Sequence, residues 1–340
     1  MDFSNQNTST ESSQPDREGA HQKPPLFRLP PEILQNIPDY LPLASAACFS
    51  LSCRHVYTML GTKYLAQLKR SEETYDFLTL LERDIPGSVS CKSCKVLHPI
   101  KEAESHINLG RGVEPYERPC LLDAEMRVAS ANIYFGFSPV VFKMLMKHHS
   151  LFGLDNRSRE LIKLLSPEPK RTDRKRVTIT NEVQVRIESG SLFICQTQTW
   201  ECQCTAMAQD PGLLISVDRS YPSYCDHVLF KIDPTRRILE LIFPPWYFPD
   251  ASPLEYLKFP QCESNVSWER STDLFRCSLC RTEYKADMKH ESSCALRVTI
   301  TAWKDLGKGP EGDVWDQHLR PTGSRAPQGE IAVAFERGLP

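Results

Sequence analysis

The sequence predicts an α+β protein with an N-terminal three-helix unit, a helical middle and an antiparallel β-rich C-terminal region. Apolar residues recur at helical spacing between Ile33 and Leu60. In 177–187 and 296–302 they alternate with polar residues instead, which is typical of half-buried antiparallel strands. The chain has 13 cysteines, several in closely spaced pairs. They add possible zinc clips, meaning structural zinc ions that join distant segments.

The helical unit at the N-terminus has recognisable start and stop signals. Pro31 suits the first turn of the first helix. Gly61 follows the third helix, and glycine is a residue at which helices commonly end. Pro38 falls late in the first helix, where it removes a backbone donor and crowds the carbonyl of Leu34. Such a defect costs about 3 kcal/mol inside a helix. We therefore expect a kink or an early helix end near Ile37.

The order of short motifs in this unit resembles an F-box. The matching residues are Leu29-Pro30-x-Glu32-Ile33, Ile37, Leu41-Pro42-Leu43 and Leu51-x-Cys53-Arg54. The resemblance implies a substrate-recruiting subunit that binds a Skp-type adaptor and, through it, a cullin, and that brings an unknown protein substrate to ubiquitylation. The residues it implies for adaptor binding are Leu29, Pro30, Ile33, Leu34, Ile37, Leu41, Pro42, Leu43 and Leu51. A helical bundle that packs only on the protein's own core is the alternative.

Two further segments are similar to pieces that recur in F-box proteins of filamentous fungi. The first runs from Phe77 to Pro86 and continues into Cys91-Lys-Ser-Cys94 and Leu97-His98, and the second is Trp303-Lys-Asp-Leu-Gly307. The chain therefore resembles the fungal type, in which a Cys-rich α+β region follows the F-box.

Composition limits the partners and the compartment. The 41 basic and 43 acidic residues nearly cancel, so no overall field attracts nucleic acid or an anionic membrane. There is no run of about 18 apolar residues, and the N-terminus lacks a secretion signal, so we expect no membrane partner. We expect a cytoplasmic and/or nuclear protein, in which clustered cysteines indicate metal binding or burial rather than disulfides.

Breaks in composition and periodicity predict the domain organisation. The N-terminal tail lacks large apolar groups, and glycine and proline interrupt the C-terminal one. The predicted segments are a disordered tail (1–24), an F-box-like helical domain (25–66), a connecting helix (67–86), a Cys/His knuckle (87–125), a helical segment (126–169), a basic linker (170–176), an antiparallel β-rich region (177–303) and a mostly flexible tail (304–340).

The basic linker supports a second functional hypothesis. It places five cations in the seven residues Lys170 to Arg176. A solvated connection is the simplest interpretation, and a nuclear import signal or a phosphate-binding patch are alternatives. The second hypothesis is a zinc-stabilised binding protein that contacts nucleic acid or another protein through this segment. The near-zero net charge disfavours nucleic acid.

The first group of candidate metal ligands is Cys91-x2-Cys94-x3-His98 together with Cys120. A Cys-x2-Cys turn brings two thiolates to one ion, and tetrahedral Zn²⁺ needs two more thiolate or imidazole ligands. The alternative is that His98 only ends a turn before Pro99 and that Cys120 is buried. A thioredoxin-like redox site is disfavoured because no helix pattern follows the pair.

The second group is Cys225-x-His227 with Cys277-x2-Cys280, which would join distant strands. A buried Cys225 and an exposed His227 would explain the same letters without a metal. Three further thiols form a weaker set: Cys195, Cys202 and Cys204. We interpret them as core or loop residues. The alternative is a metal site that they form with Cys225 or His227. Four protein ligands leave no open position for water, so any zinc here is predicted to be structural.

The familiar catalytic motifs are missing from the sequence. It has no Gly-x-Ser-x-Gly turn, no phosphate-binding glycine loop and no His-Glu-x-x-His helix. We therefore predict a non-enzymatic protein. A thiol-dependent enzyme is the distant alternative, because the spatial neighbours of a cysteine cannot be read from sequence.

Overall fold

The computed structural model divides the chain into two compact units, with the boundary between Glu73 and Thr74. The residues that it describes are 25–69, 71–107, 119–123, 128, 132–134, 136–174, 177–203, 225, 229–233, 238–242, 266–267, 274–277, 279–292, 295–319 and 330–337. The predicted tail at 1–24 lies outside them.

The described part of the first unit is helical, as the sequence predicts. Its elements are a 3-10 helix Pro25–Arg28, α1 Pro31–Asn36, a 3-10 helix Ile37–Tyr40, α2 Leu43–Leu51, α3 Arg54–Leu60 and α4 Lys63–Leu68. Helix α1 ends at Asn36, and the chain continues as a 3-10 turn that contains Pro38. The early helix end predicted from Pro38 is therefore confirmed. Gly61 ends α3 at a φ of 62°, a left-handed conformation that favours glycine.

A small core and a few polar contacts hold these helices together. The buried side chains include Leu34, Ala44, Ala46, Ala47, Val56, Tyr64 and Leu68. The Tyr64 hydroxyl donates to Asp39 Oδ1 at 2.6 Å, which fastens the 3-10 turn after α1 to α4. This bond lowers the pKa of Asp39. Glu73 Oε2 accepts the backbone N–H of Ala44 at 3.1 Å, which satisfies one of the unpaired donors at the start of α2.

The second unit begins with helices and one small hairpin. Its elements up to residue 165 are α5 Thr74–Asp84, β1 Ser88–Cys91, β2 Val96–Pro99, a 3-10 helix Ile100–His106, α6 Pro119–Leu122, α7 Pro139–Phe152 and α8 Asn156–Leu165. The Ser138 hydroxyl accepts the N–H of Val141 and Pro139 occupies the first turn, so α7 starts with a capped N-terminus.

Antiparallel strands dominate the described residues in the rest of the second unit. They are β3 Lys170–Arg174, β4 Val177–Glu188, β5 Ser191–Gln203, β6 Leu229–Asp233, β7 Ile238–Ile242, β8 Val266–Ser267, β9 Phe275–Arg276, β10 Thr282–Ser292 and β11 Ala295–Asp305. One sheet has the order β3-β4-β5-β11-β10-β9, and β6, β7 and β8 form another. The predicted α+β class, helical at the N-terminus and followed by antiparallel sheets, is confirmed.

The main core lies between α7, α8 and one face of the large sheet. Val141, Phe142 and Leu145 of α7 are fully buried in it. They share the cluster with Leu161, Leu165, Val183, Val185, Leu192, Ile194 and Trp315. Apolar burial on this scale, at about 25 cal/mol per Å² removed from water, is the main source of stability for the unit.

Two parts of the predicted organisation differ in the structure. The predicted basic linker contains strand β3, which pairs with β4 from Lys170↔Asn181 to Arg174↔Val177. This strand lies at the edge of the sheet, where charged side chains are tolerated and discourage pairing with other chains.

The C-terminal tail also departs from the prediction of a mostly flexible segment. It contains α9 Asp313–Leu319 and α10 Ile331–Arg337. Trp315 is 3% exposed and lies in the main core, while Ile331 and Phe335 are buried beside Phe193 and Trp303. The tail is rich in glycine and proline, but its apolar side chains still gain free energy on burial.

The end of β11 carries a buried polar network. Lys304 is 0% exposed, and its Nζ donates to the carbonyl oxygens of Asn132 at 2.8 Å and Ile133 at 2.5 Å. Asn132 in turn donates to the carbonyl of His318, whose Nε2 lies 2.8 Å from the carbonyl oxygen of Asp305. The network joins the sheet to α9 through groups that water does not reach.

Asp155 caps α8 and makes the stability of the contact between α7 and α8 depend on pH. Its Oδ1 accepts the N–H of Ser158 at 2.7 Å, and His148 Nε2 lies 2.9 Å from Oδ2. The Ser158 backbone bond and then the His148 contact lower the pKa of Asp155 from 3.8 to about 2. Because the pKa is lower in the folded state, the stabilisation is present above the unfolded pKa and is lost as the pH falls through about 2.

We therefore expect Asp155→Asn, which keeps a capping oxygen but has no charge, to be less stable than the wild type near pH 6. The difference in unfolding free energy should shrink steadily as urea denaturation is repeated down to pH 2. A difference that stays constant over this range would contradict the assignment.

Candidate functional sites: two thiol clusters and an exposed apolar surface

The structure brings together Cys91, Cys94, His98 and Cys120, which we call the first thiol cluster. One ligand atom from each residue lies within 4.8 Å of every other. The hairpin of β1 and β2 supplies the first three residues, and the short helix α6 supplies Cys120. Cys120 Sγ lies 3.9 Å from His98 Nε2. All four residues of the first predicted ligand set are thus neighbours in space.

Local backbone geometry explains how the two cysteines of the turn reach one point. The N–H of Lys95 donates to the carbonyl of Cys91 at 2.9 Å, and the N–H of Cys94 points to Cys91 Sγ at 3.5 Å. Lys95 adopts a φ of 51°, an uncommon conformation for a residue with a side chain. This tight turn directs both sulfur atoms to the same side.

Buried polar contacts hold β1 in place beside the cluster. Ser90 precedes Cys91, and both its N–H, at 2.8 Å, and its hydroxyl donate to Glu82 Oε2 of α5. Lys143 Nζ of α7 lies 3.1 Å from the same carboxylate oxygen and donates to the Ser90 hydroxyl at 2.9 Å. The strand that carries Cys91 is therefore anchored to two helices.

The thiols of the first cluster share protons. The Cys120 thiol donates to Cys91, and this lowers the pKa of Cys91 to about 4. The same contact raises the pKa of Cys120. Burial raises the pKa of Cys94. A thiolate thus forms readily at Cys91, with its neighbours able to follow when a cation replaces the shared protons.

Cys225, Cys277 and Cys280 form the second thiol cluster, and all three are buried. The Cys225 thiol donates to Cys277 Sγ at 3.9 Å, and this bond, followed by one from Cys280, lowers the pKa of Cys277 to about 4. The Tyr284 hydroxyl lies 2.5 Å from Cys225 Sγ. The predicted fourth ligand, His227, lies outside the described residues.

Both clusters fit a thiophilic divalent metal. Zn–S bonds of about 2.3 Å in a tetrahedron place two sulfur atoms about 3.8 Å apart, close to the separation of Cys225 and Cys277. The 3.9 Å between Cys120 Sγ and His98 Nε2 likewise suits two ligands of one ion. The first cluster offers three thiols and one imidazole, a set typical of structural zinc.

The remaining cysteines are described only in part. Cys195 is half-buried in β5, where burial raises the pKa of its thiol to about 12. It belongs to neither cluster, which agrees with its interpretation as a core thiol. Cys204 and the side chain of Cys202 lie outside what the structure describes.

The first unit displays large apolar side chains to solvent. Those of the predicted set are Leu29 (38% exposed), Ile33 (47%), Leu41 (38%) and Leu51 (40%). Pro30 and Pro42 are also exposed. A surface of this kind on a small helical unit commonly marks a protein interaction site.

A family model for the F-box domain matches residues 26–66. The match covers α1, α2, α3 and the first four residues of α4, and it includes all of the exposed side chains just named. Residues 26–66 form an F-box domain. Neither the curated proteins nor the solved structures include a match to the chain.

Within the F-box, the predicted adaptor-binding residues fall into two classes. Leu34 is fully buried among the helices, so it stabilises the domain and, contrary to the prediction, is not available to a partner. Ile37 and Leu43 are half-buried. Tyr40 (88% exposed) and Tyr57 (41%) add aromatic side chains to the exposed apolar surface of the F-box. Neither was in the predicted set. Tyr57 belongs to the row of apolar residues at helical spacing in α3. This spacing was the sequence signal that could have identified Tyr57.

No helix among the described residues is long and apolar enough to cross a membrane.

Proposed function

We propose that this F-box protein recruits substrates to a Skp–cullin–F-box ubiquitin ligase and is not itself an enzyme. The observation that carries the proposal is the F-box at 26–66 with its exposed apolar residues. F-box domains bind the Skp-type adaptor, which links them to the cullin. We also propose a cytoplasmic and/or nuclear location and membership of the filamentous-fungal type.

The F-box surface suits a tight protein contact. Burying a Leu or Ile side chain that is now half exposed contributes roughly 1 kcal/mol, so Leu29, Ile33, Leu41 and Leu51 together supply a substantial part of a typical binding free energy. The two exposed prolines, Pro30 and Pro42, add contact area with little loss of conformational entropy. The second unit would then present the protein substrate.

We propose that each thiol cluster holds a structural Zn²⁺ ion. Cys91, Cys94, His98 and Cys120 would be the ligands of the first, and three cysteines with His227 those of the second. The metal supplies a crosslink between segments that are distant in sequence and leaves no open position for substrate. Zinc would therefore stabilise the substrate-presenting unit and take no part in chemistry.

The adaptor contact can be tested by calorimetry with a purified Skp-type adaptor. Replacing Leu29, Pro30 and Ile33 together by Ala is expected to weaken binding at least about 30-fold, because roughly 2 kcal/mol of apolar contact is lost. These side chains are exposed, so the F-box should remain folded.

A matched control is Leu151→Ala, which shortens an apolar side chain that is 53% exposed in the second unit. It should bind the adaptor as the wild type does. Failure of the wild-type chain to bind, or equal binding by the triple variant, would disprove the proposed role.

A further inference from the structure

His106 lies beside the first thiol cluster but outside its set of four mutually close ligand atoms. Its side chain is 0% exposed, and its Nδ1 lies 3.6 Å from Cys120 Sγ. Its ring meets that of His98 edge to face, with ring centroids 4.2 Å apart. His106 thus contacts two of the four candidate ligands. The sequence offered no sign of this, because His106 stands outside the Cys-x2-Cys-x3-His pattern.

We infer that His106 is a positioning residue of the first metal site: it donates its Nδ1–H to the Cys120 thiolate and orients the His98 ring. The inference rests on the proposed zinc site and concerns a residue that is not itself a ligand. It would make the first cluster a centre of five residues.

This hydrogen bond would offset the negative charge of the metal site. Three thiolates and a neutral imidazole around Zn²⁺ carry a net charge of −1, and Cys91 and Cys120 are buried. A buried charge is costly unless nearby donors offset it. The N–H of Cys94 is directed at Cys91 Sγ, and His106 would serve Cys120 in the same way.

Core packing fixes the position of the helix that carries His106. It is the last residue of the 3-10 helix Ile100–His106, and Ile100 and Ala103 of that helix lie in the main core. Helix α6, which carries Cys120, has only four residues. A helix that short has almost no internal hydrogen bonds to fix its side chains. A contact from the core through His106 is therefore well placed to orient Cys120.

The test uses the full-length chain and three variants of His106. His106→Leu removes the donor, His106→Asn places an amide N–H near the position of Nδ1, and His106→Gln places its amide near Nε2 instead. Zinc affinity is measured by competition with a chromophoric chelator. ¹¹³Cd NMR of the cadmium-loaded protein gives a resonance for each occupied site, because the shift depends on the number, kind and geometry of the ligand atoms.

We expect His106→Leu and His106→Gln to weaken the first site by about 10–100-fold, which is the usual effect of removing a residue that supports a metal ligand. His106→Asn should stay within about threefold of the wild type. The cadmium resonance of the first site should keep its position in the His106 variants and shift in His98→Ala, which removes a ligand. His149→Leu, which alters a partly buried histidine of the same unit outside both thiol clusters, should leave zinc affinity unchanged.

Equal zinc affinity in all three His106 variants and the wild type would overturn the inference. So would a change in the cadmium resonance that matches that of His98→Ala, because His106 would then be a ligand. If His106→Leu does not fold, the contrast between Asn and Gln decides the question. A wild-type chain that shows no cadmium resonance from this cluster would instead refute the zinc site, and the inference with it.

Discussion

Removal of bound metal is expected to lower the thermal unfolding midpoint of the second unit by about 8–16 °C for each zinc site that is emptied. A ligand present at about 1,000 times its Kd stabilises the folded state by about 4 kcal/mol, and each kcal/mol shifts the midpoint of a unit of this size by about 2–4 °C. The effect is large because the first cluster joins the β1–β2 hairpin to α6, and the second joins Cys225 to the turn that precedes β10.

The measurement is a thermal scan by circular dichroism, with excess zinc and again after exhaustive chelation, together with metal analysis of the purified chain. Cys91→Ser and Cys277→Ser should each reduce the zinc content by about one ion per chain, because each removes one ligand of a four-ligand site. Cys195→Ser is the control, since this thiol lies outside both clusters and should leave the zinc content unchanged. Equal midpoints with and without chelator would show that the clusters are plain buried thiols.

Replacement of Lys304 by Ala is expected to destabilise the second unit by about 3–5 kcal/mol. The substitution leaves a cavity and deprives the carbonyls of Asn132 and Ile133 of their donor in a place where water does not replace it. Lys304→Met keeps most of the volume but not the donor, so its cost should be smaller, at about 2 kcal/mol.

Urea denaturation of the two variants gives these energies from the shift in midpoint at constant slope. Lys308→Ala, at an exposed lysine four positions further along, should change stability by less than about 0.5 kcal/mol. A cost below about 1 kcal/mol for Lys304→Ala would mean that the network contributes little to the folded state.

The segment Trp303–Gly307, which resembles a recurring fungal piece, acquires a physical explanation from this network. Trp303 packs on α10, and Lys304 and Asp305 tie the sheet to α9. Gly307 has a φ of 77°, and a Cβ there would meet the Val314 side chain at 3.0 Å. Each of these residues thus serves the packing of the C-terminal helices, in a segment that the sequence predicts to be a mostly flexible tail.

Local signals were enough wherever a feature depends on a few neighbouring residues. The end of α1 before Pro38, the left-handed Gly61 and the capped start of α7 at Ser138 all follow from backbone hydrogen bonding and sterics within one turn. Spacing also identified Cys91, Cys94 and His98 as partners, because a short hairpin brings them together.

Predictions failed where distant segments decide the outcome. Local charge predicted a basic linker at 170–176, yet Lys170–Arg174 pairs with β4 as an edge strand of the sheet. Composition predicted a flexible tail, yet Trp315 and Phe335 find apolar partners far away in the sequence. Leu34 fits the F-box motif, but only the packing of the helices shows that it is core rather than surface.

By itself the sequence determined the F-box, the α+β class and the candidate zinc ligands, since motif order, periodicity and spacing are properties of the chain alone. Tertiary structure decided which F-box residues are exposed, that Cys120 lies beside the hairpin cysteines, and that His106 lies beside Cys120. The physical reason is that exposure and metal geometry depend on distances between segments. Those distances follow from burial of the whole core, which no single segment encodes.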